Sequence, residues 1–220
     1  MVAVSLTSIP PRFHTLSDRL AAISDQGSSQ IFLTIPDRYT RFPDWDGVVP
    51  PLPAGVTLLR GPDLGPACKF HRVFAAYPGQ DVLLADDDCI YGPGWLAAFQ
   101  AARDQHPNSV IAASTFCTSR LGLAAEYKVF QGFAGVLLRP EWLGVEALDI
   151  DPVAQWVDDI WLSAHAARAG VSIVDCSAAR ELVLPNDAPM ALQTAVVDGK
   201  SRAVLNSEVA QRLSAQFQIW

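Results

Sequence analysis

The chain has 220 residues, half of them hydrophobic, which allows one large α/β domain and excludes global disorder. Its formal net charge of −7 opposes general nucleic-acid binding and provides no polybasic patch for a membrane surface. No apolar stretch approaches the roughly 18 residues that a transmembrane helix needs. The chain starts on a strand-like run without the features of a signal peptide, so we expect no transmembrane segment, while peripheral membrane contact stays open.

The cysteines lie far apart and form no C-x-x-C pair, which disfavours both a zinc site and a disulfide framework. Reduced, mostly buried thiols are typical of a cytoplasmic protein, and we expect that location.

Hydrophobic periodicity predicts strands that alternate with helices along most of the chain. The predicted strands are 2–9, 30–35, 56–59, 81–85, 109–113, 129–138 and 171–174. The predicted helices are 14–26, 67–77, 156–169, 206–217 and one through Trp95 and Phe99, with loops at 37–53 and 115–128. The alternation predicts an α/β fold in a single domain, with a mostly parallel central sheet and helices on both faces.

Three adjacent aspartates, Asp86, Asp87 and Asp88, directly follow the apolar run 81–85, which is typical of a strand buried on both faces. The acids therefore emerge at the carboxyl end of a strand, the edge at which open α/β sheets bind ligands. Adjacent carboxylates repel one another unless a cation compensates them, and Mg²⁺ or Mn²⁺ with a bound diphosphate meets that need. The alternative is a solvated acidic turn, which the position after a core strand disfavours.

A second acidic pair, Asp158 and Asp159, lies in the first turns of the predicted helix 156–169. Carboxylates there complement the helix dipole, which is the simpler interpretation. The functional interpretation is that one acidic element holds a metal while the other takes a proton from an acceptor hydroxyl as general base. His165, two turns further on the same face, is more typical of a packed helix histidine than of a catalytic one.

Several positive side chains are candidates for contact with a phosphate or nucleotide. Lys69 follows Gly65 and Pro66 at a helix start, with a solvated helix face as the alternative, and Arg12 follows the first strand. Lys200 and Arg202 could reach a diphosphate from the C-terminal region, where a solvated loop is the favoured interpretation.

Five segments, in this order, resemble small bacterial glycosyltransferases of the GT-A fold, family 2-like and containing a D-x-D motif. They are residues 5–12, 63–69, 86–91, 132–137 and 158–162, so the resemblance covers about residues 2–175. It implies a GT-A-like fold and a nucleotide-sugar donor, with a UDP-sugar favoured. It also implies a Mn²⁺ or Mg²⁺ ion bound through the D-x-D element and transfer of the sugar to a hydroxyl of a carbohydrate or other acceptor.

The same resemblance implies roles for individual residues. Asp88 becomes the direct metal ligand, Asp86 a metal ligand nearer the ribose, and Asp158 and Asp159 the catalytic pair, with Asp159 favoured as the base. The implied nucleotide-sugar-binding residues are Thr7, Arg12, Asp63, Lys69, Asp86, Asp87 and Gly135. The chain then divides into a nucleotide-binding half at about 1–91, an acceptor half at about 92–180, and a C-terminal loop and helix at about 181–220.

Two other function classes stay open. A nucleotidyltransferase would also carry acids at strand ends, but its usual Gly-rich arginine loop is replaced here by residues 8–12, which hold two prolines. A non-catalytic nucleotide- or sugar-binding protein of the same fold would bind nucleotide with metal and show no transfer. A phosphatase with an aspartyl nucleophile is disfavoured, because its motif would follow the first strand rather than the fourth.

Overall fold

Strands and helices alternate along the chain in the computed structural model, which describes residues 2–28, 30–185, 196–197 and 199–220. The strands are β1 (Val2–Thr7), β2 (Gln30–Pro36), β3 (Val56–Gly61), β4 (Asp81–Leu84), β5 (Cys89–Tyr91), β6 (Val110–Ala112), β7 (Thr115–Cys117), β8 (Lys128–Phe130), β9 (Val136–Leu138), β10 (Ile173–Asp175), β11 (Val183–Pro185), β12 (Val196–Val197) and β13 (Lys200–Ser201). The helices are α1 (Phe13–Ser24), α2 (Cys68–Ala76), α3 (Trp95–Gln105), α4 (Asp158–Arg168), α5 (Ser177–Arg180) and α6 (Arg202–Phe217). In the described part of the chain, no helix is both long and apolar enough to cross a membrane.

Seven strands form the central sheet, in the spatial order β3-β2-β1-β4-β9-β6-β10. β9 runs antiparallel to its neighbours β4 and β6, and every other pair in the sheet is parallel. The carboxyl ends of β1 to β4 therefore share one edge. This confirms the predicted fold class, a single α/β domain with a mostly parallel sheet, an arrangement consistent with the GT-A-like fold that the resemblance implied.

Helices cover both faces of the sheet and divide the core into two layers. α2, α4 and α6 pack in one layer, while α1 and α3 pack in the other. Val82 and Leu84 of β4 face the first layer and Leu83 faces the second, and all three are almost completely buried. Because both faces of β4 are buried, the charged side chains that follow it in the sequence have to lie beyond its carboxyl end.

The prediction of one strand at 129–138 is wrong. The segment divides into β8, a 3₁₀ turn at Gly132–Ala134, and β9. β8 pairs with β7 in a separate ribbon, so the predicted loop 115–128 contains a strand, whereas β9 enters the central sheet. Gly135 has a φ of 110°, which side chains rarely allow, and this backbone conformation lets the chain turn between β8 and β9.

The C-terminal helix begins earlier than predicted, at Arg202 rather than Asn206. The Ser201 side chain accepts a hydrogen bond from the Val204 amide and caps this start. Of the predicted C-terminal loop and helix at 181–220, residues 186–195 and 198 lie outside the described residues. α6 packs against α4, where the buried His165 ring contacts Phe217, as expected for a packed helix histidine.

Candidate functional site

The three aspartates after β4 stand at the carboxyl edge of the sheet, but they differ in exposure. The Ala85 amide still donates to the Ser5 carbonyl oxygen at 3.0 Å, so the chain lies beside β1 when the acids begin. The Asp87 side chain is only 5% exposed, whereas those of Asp86 and Asp88 are 30% and 25% exposed. The two outer acids of the D-x-D element therefore reach solvent, and the middle one is an interior residue.

Asp87 is held inside by two donors from the segment after β1. The Ser8 hydroxyl donates to Asp87 Oδ2, and Arg12 Nη1 lies 2.6 Å from Asp87 Oδ1. The other arm of Arg12, Nη2, lies 3.1 Å from Asp88 Oδ2. Burial raises the pKa of Asp87, and Arg12 and Ser8 oppose that rise. The contacts of Asp87 position Arg12, while the predicted nucleotide contact of each residue stays a prediction.

A buried lysine joins the two acidic elements that the sequence singled out. Lys69 Nζ lies 2.8 Å from Asp86 Oδ1 and 2.9 Å from Asp158 Oδ2, and its side chain is 3% exposed. Burial alone would lower the pKa of Lys69, but Asp158 and Asp86 raise it well above its ordinary value. The ammonium is therefore charged, and it forms ion pairs with both Asp86, after β4, and Asp158, at the start of α4. The solvated helix face considered for Lys69 is wrong.

Asp159 lies beside this ion cluster and contacts the turn between β8 and β9. Its Oδ1 accepts a hydrogen bond from the Gly132 amide at 3.0 Å. Burial, and then the neighbouring Asp158 charge, raise the pKa of Asp159 to about 7. A Cβ atom at Gly132 would stand 2.7 Å from Lys69 Nζ and 2.9 Å from Asp159 Oδ1, so a side chain here would displace one of these charged groups. The residue as a whole is still partly exposed.

The C-terminal helix contributes a further cation to the cluster. Arg202 Nη2 lies 3.9 Å from Asp158 Oδ1, and its side chain is 22% exposed. Lys200 instead pairs with Glu208 at 2.6 Å in an exposed contact away from Asp158. The structure thus brings Arg202, but not Lys200, into contact with the predicted site residues.

Two other predicted site residues have local structural contacts. The Thr7 hydroxyl donates to the Thr34 carbonyl oxygen at 2.7 Å, between β1 and β2. Asp63 accepts the amides of Thr40 and Gly65, at 2.7 and 3.0 Å, and so holds two loops together. Thr7 and Asp63 lie at the same sheet edge as Asp86. Their contact with a nucleotide stays a prediction.

Gly135, which the resemblance implies as a nucleotide-sugar-binding residue, has its Cα packed against the core. A Cβ atom there would stand 2.7 Å from Trp95 and 2.8 Å from Phe99, two aromatic core residues of α3. Its open side is therefore filled by the core, and Gly132 is the glycine whose open side meets Lys69 and Asp159. The contact of Gly135 with a nucleotide sugar stays a prediction.

Tyr91 is a residue of the site that sequence reasoning missed. Its hydroxyl accepts a hydrogen bond from the Asp86 amide at 2.8 Å and donates to the Phe133 carbonyl oxygen at 2.9 Å. Tyr91 thus ties the first aspartate to the turn that carries Gly132. A buried tyrosine generally needs partners for its hydroxyl, but the sequence does not say which they are.

The donor set at Asp86 and Asp88 suits a hard divalent cation that also binds phosphate. Lys69 contacts one oxygen of Asp86 and Arg12 one oxygen of Asp88, and both side chains are partly exposed. Burial, and then the charge of Asp86, raise the pKa of Asp88 to about 6, a repulsion that a cation would relieve. Among the described residues no group of three or more His, Cys, Asp or Glu side chains is arranged to hold a metal. Two carboxylates fit Mg²⁺ or Mn²⁺ when substrate phosphates complete the coordination.

Comparison with known proteins adds similarity of fold alone. No family model matches the chain, and no curated protein gives a significant match. One similar solved structure is 2-C-methyl-D-erythritol 4-phosphate cytidylyltransferase from Thermus thermophilus, at 17% identity and a TM-score of 0.49, covering 96% of this chain and 98% of that one. Another is 4-diphosphocytidyl-2C-methyl-D-erythritol synthase, at 14% identity and a TM-score of 0.48, covering 86% and 93%.

Proposed function

We propose that the protein is a divalent-cation-dependent transferase that binds a nucleotide-linked substrate at the carboxyl edge of β1 to β4 and transfers its sugar to a hydroxyl acceptor. The observation that carries the proposal is the contact of Lys69 with both Asp86 and Asp158. It brings the partly exposed carboxylates of Asp86 and Asp88 and a second pair of acids to one place. A solvated acidic turn does not account for a buried lysine that joins the two.

In this proposal the half at about 1–91 holds the nucleotide. Asp88 and Asp86 bind the cation, which when bound neutralises the diphosphate and the charge that develops on the leaving group. Thr7, Arg12, Asp63 and Lys69 surround the nucleotide, with Arg12 and Lys69 fixing the two acids in place.

The half at about 92–180 holds the acceptor, and Asp159 is its base. A general base is most effective when its pKa lies near the working pH, and burial raises the pKa of Asp159 to about 7. The hydrogen bond from the Gly132 amide fixes one oxygen of Asp159. The other oxygen is the one that takes the proton of the acceptor hydroxyl as the bond to the sugar forms.

The first experiment compares thermal shifts for a panel of nucleoside diphosphates and nucleotide sugars, with Mn²⁺ and with EDTA. We expect a shift that requires Mn²⁺ and disappears in Asp88→Asn. Asp175→Asn is the matched control, because Asp175 is an exposed acid at the end of β10 that pairs with Lys128. Equal nucleotide affinity with Mn²⁺ and with EDTA contradicts the proposal.

Nucleotidyl transfer is the second candidate, because Arg12 and Arg41 lie near each other at this edge and suit a triphosphate. The name of the Thermus protein gives that activity to a chain whose likeness to this one is of fold alone. Product analysis separates the possibilities. Sugar transfer releases a nucleoside diphosphate, nucleotidyl transfer consumes a triphosphate and releases pyrophosphate, and a non-catalytic binding protein releases neither.

A further inference from the structure

Arg41 lies at the nucleotide edge on a loop that is fixed at two neighbouring points. The loop follows β2, and the Tyr39 hydroxyl donates to the Ser8 carbonyl oxygen at 2.7 Å. The next residue, Thr40, donates its amide to Asp63 Oδ2 at 2.7 Å. The backbone that leads into Arg41 is therefore held against the ends of both β1 and β3.

The positive charge of Arg41 has no carboxylate partner among the described residues. Arg12 and Arg202 at the same site each lie within 4.0 Å of an aspartate, whereas Arg41 forms no ion pair in the described part of the chain. The Arg41 guanidinium lies over the Phe42 ring, 5.5 Å from its centre, and is partly buried. Asp63, whose charge attracts Arg41, already accepts hydrogen bonds from two backbone amides.

The second guanidinium nearby makes this position unfavourable without an anion. Burial, and then the charge of Arg12, lower the pKa of Arg41. Arginine side chains are mostly exposed, as Arg38 of the same loop is, whereas Arg41 is partly buried. A cation stacked on an aromatic ring beside another cation is a site prepared for a phosphate group, which a guanidinium binds through two parallel hydrogen bonds.

We infer that Arg41 binds a phosphate group of the nucleotide and thereby makes the site prefer a nucleoside diphosphate or triphosphate to a nucleoside. The inference rests on the proposed function, because it takes the occupant of this edge to be a nucleotide. It adds a phosphate-binding residue from the loop after β2, a segment outside the five that resemble glycosyltransferases.

Calorimetry with Mn²⁺ tests the inference, using a nucleoside, its diphosphate and inorganic pyrophosphate with wild type, Arg41→Gln, Arg41→Lys and Arg38→Gln. We expect Arg41→Gln to weaken binding of the diphosphate about tenfold or more, the loss of a charge-assisted hydrogen bond, and to leave the nucleoside unchanged. Arg41→Lys keeps the charge but cannot form two parallel hydrogen bonds, so its diphosphate affinity should lie between those of wild type and Arg41→Gln. Arg38→Gln, three residues earlier on the loop, should bind like wild type.

The outcomes separate this inference from the proposed function. The role of Arg41 is overturned if Arg41→Gln binds the diphosphate as tightly as wild type does. It is also overturned if the variant loses the same affinity for the nucleoside as for the diphosphate. Wild-type binding of pyrophosphate through Arg41 without binding of any nucleotide overturns the proposed function and supports Arg41 as a phosphate-binding residue. Binding of neither overturns both. Equal melting temperatures of the variants show that a loss does not come from misfolding.

Discussion

Replacing Lys69 by methionine should destabilise the protein strongly, because the change removes the cation 2.9 Å from the buried Asp158 and leaves only Arg202, at 3.9 Å. The two side chains are 3% and 2% exposed, so water cannot replace the lost ammonium. Removing one partner of a buried ion pair costs about 3–5 kcal/mol of the free energy of unfolding. Methionine has nearly the volume of the lysine stem, so the loss should report the charge rather than a cavity.

Urea unfolding of three variants measures this effect. Lys128→Met is the matched control, because the Lys128–Asp175 pair is shorter, at 2.6 Å, but its side chains are 48% and 50% exposed. Exposed pairs contribute less than about 1 kcal/mol, so this control should lose little. Lys69→Met combined with Asp158→Asn should recover much of the deficit, since the second change removes the unpaired charge. Losses below about 1 kcal/mol in both single variants would refute the argument that burial makes this pair different.

Four further predictions concern the site and the turn beside it. Asp88→Asn should reduce nucleotide affinity in Mn²⁺ to the level measured with EDTA, which titration calorimetry checks. Asp159→Asn should keep that affinity while transfer falls by roughly 10²-fold or more, and near-normal turnover would assign Asp159 another role. The same variant should have a flatter pH dependence of thermal stability. In the folded wild type burial raises the pKa of Asp159 to about 7, against an ordinary 3.8, so the folded state binds this proton more tightly than the unfolded state does. The wild type therefore loses stability as pH rises from about 3.8 to about 7, and Asp159→Asn should not. Gly132→Ala should impair transfer more than it lowers the melting temperature, because its Cβ meets Lys69 and Asp159, whereas Gly135→Ala should lower the melting temperature markedly, because its Cβ meets core rings.

The position of Asp86 and Asp88 could be predicted because it depends on a local pattern. An apolar run that is buried on both faces must be a central strand, and in a parallel sheet the residues that follow it lie at the ligand-binding edge. Val82, Leu83 and Leu84 satisfy the first condition, and Asp86 and Asp88 the second. The alternation of strands and helices is also a local pattern, and it predicted the layers of the fold.

The contacts within the site could not be predicted because they join residues far apart in the chain. Nothing near Lys69 in the sequence indicates that it is buried between Asp86 and Asp158, since the burial is created by packing α2 and α4 on one face of the sheet. Gly132 and Gly135 have the same residue type three positions apart. Only the turn between β8 and β9 directs one towards the charges and the other towards Trp95.

The buried charges of the site favour a functional explanation over a stabilising one. A pair such as Lys69 and Asp158 rarely stabilises a fold more than apolar side chains of the same size, because both ions lose their hydration. What the pair does provide is position: the same ammonium contacts Asp86, whose amide is bound by Tyr91, while Asp159 is bound by Gly132. Each acid is therefore held by a partner from another element before any ligand arrives. Preorganised charges of this kind need no rearrangement when charge develops on a substrate, which is the physical advantage that a transferase gains from them.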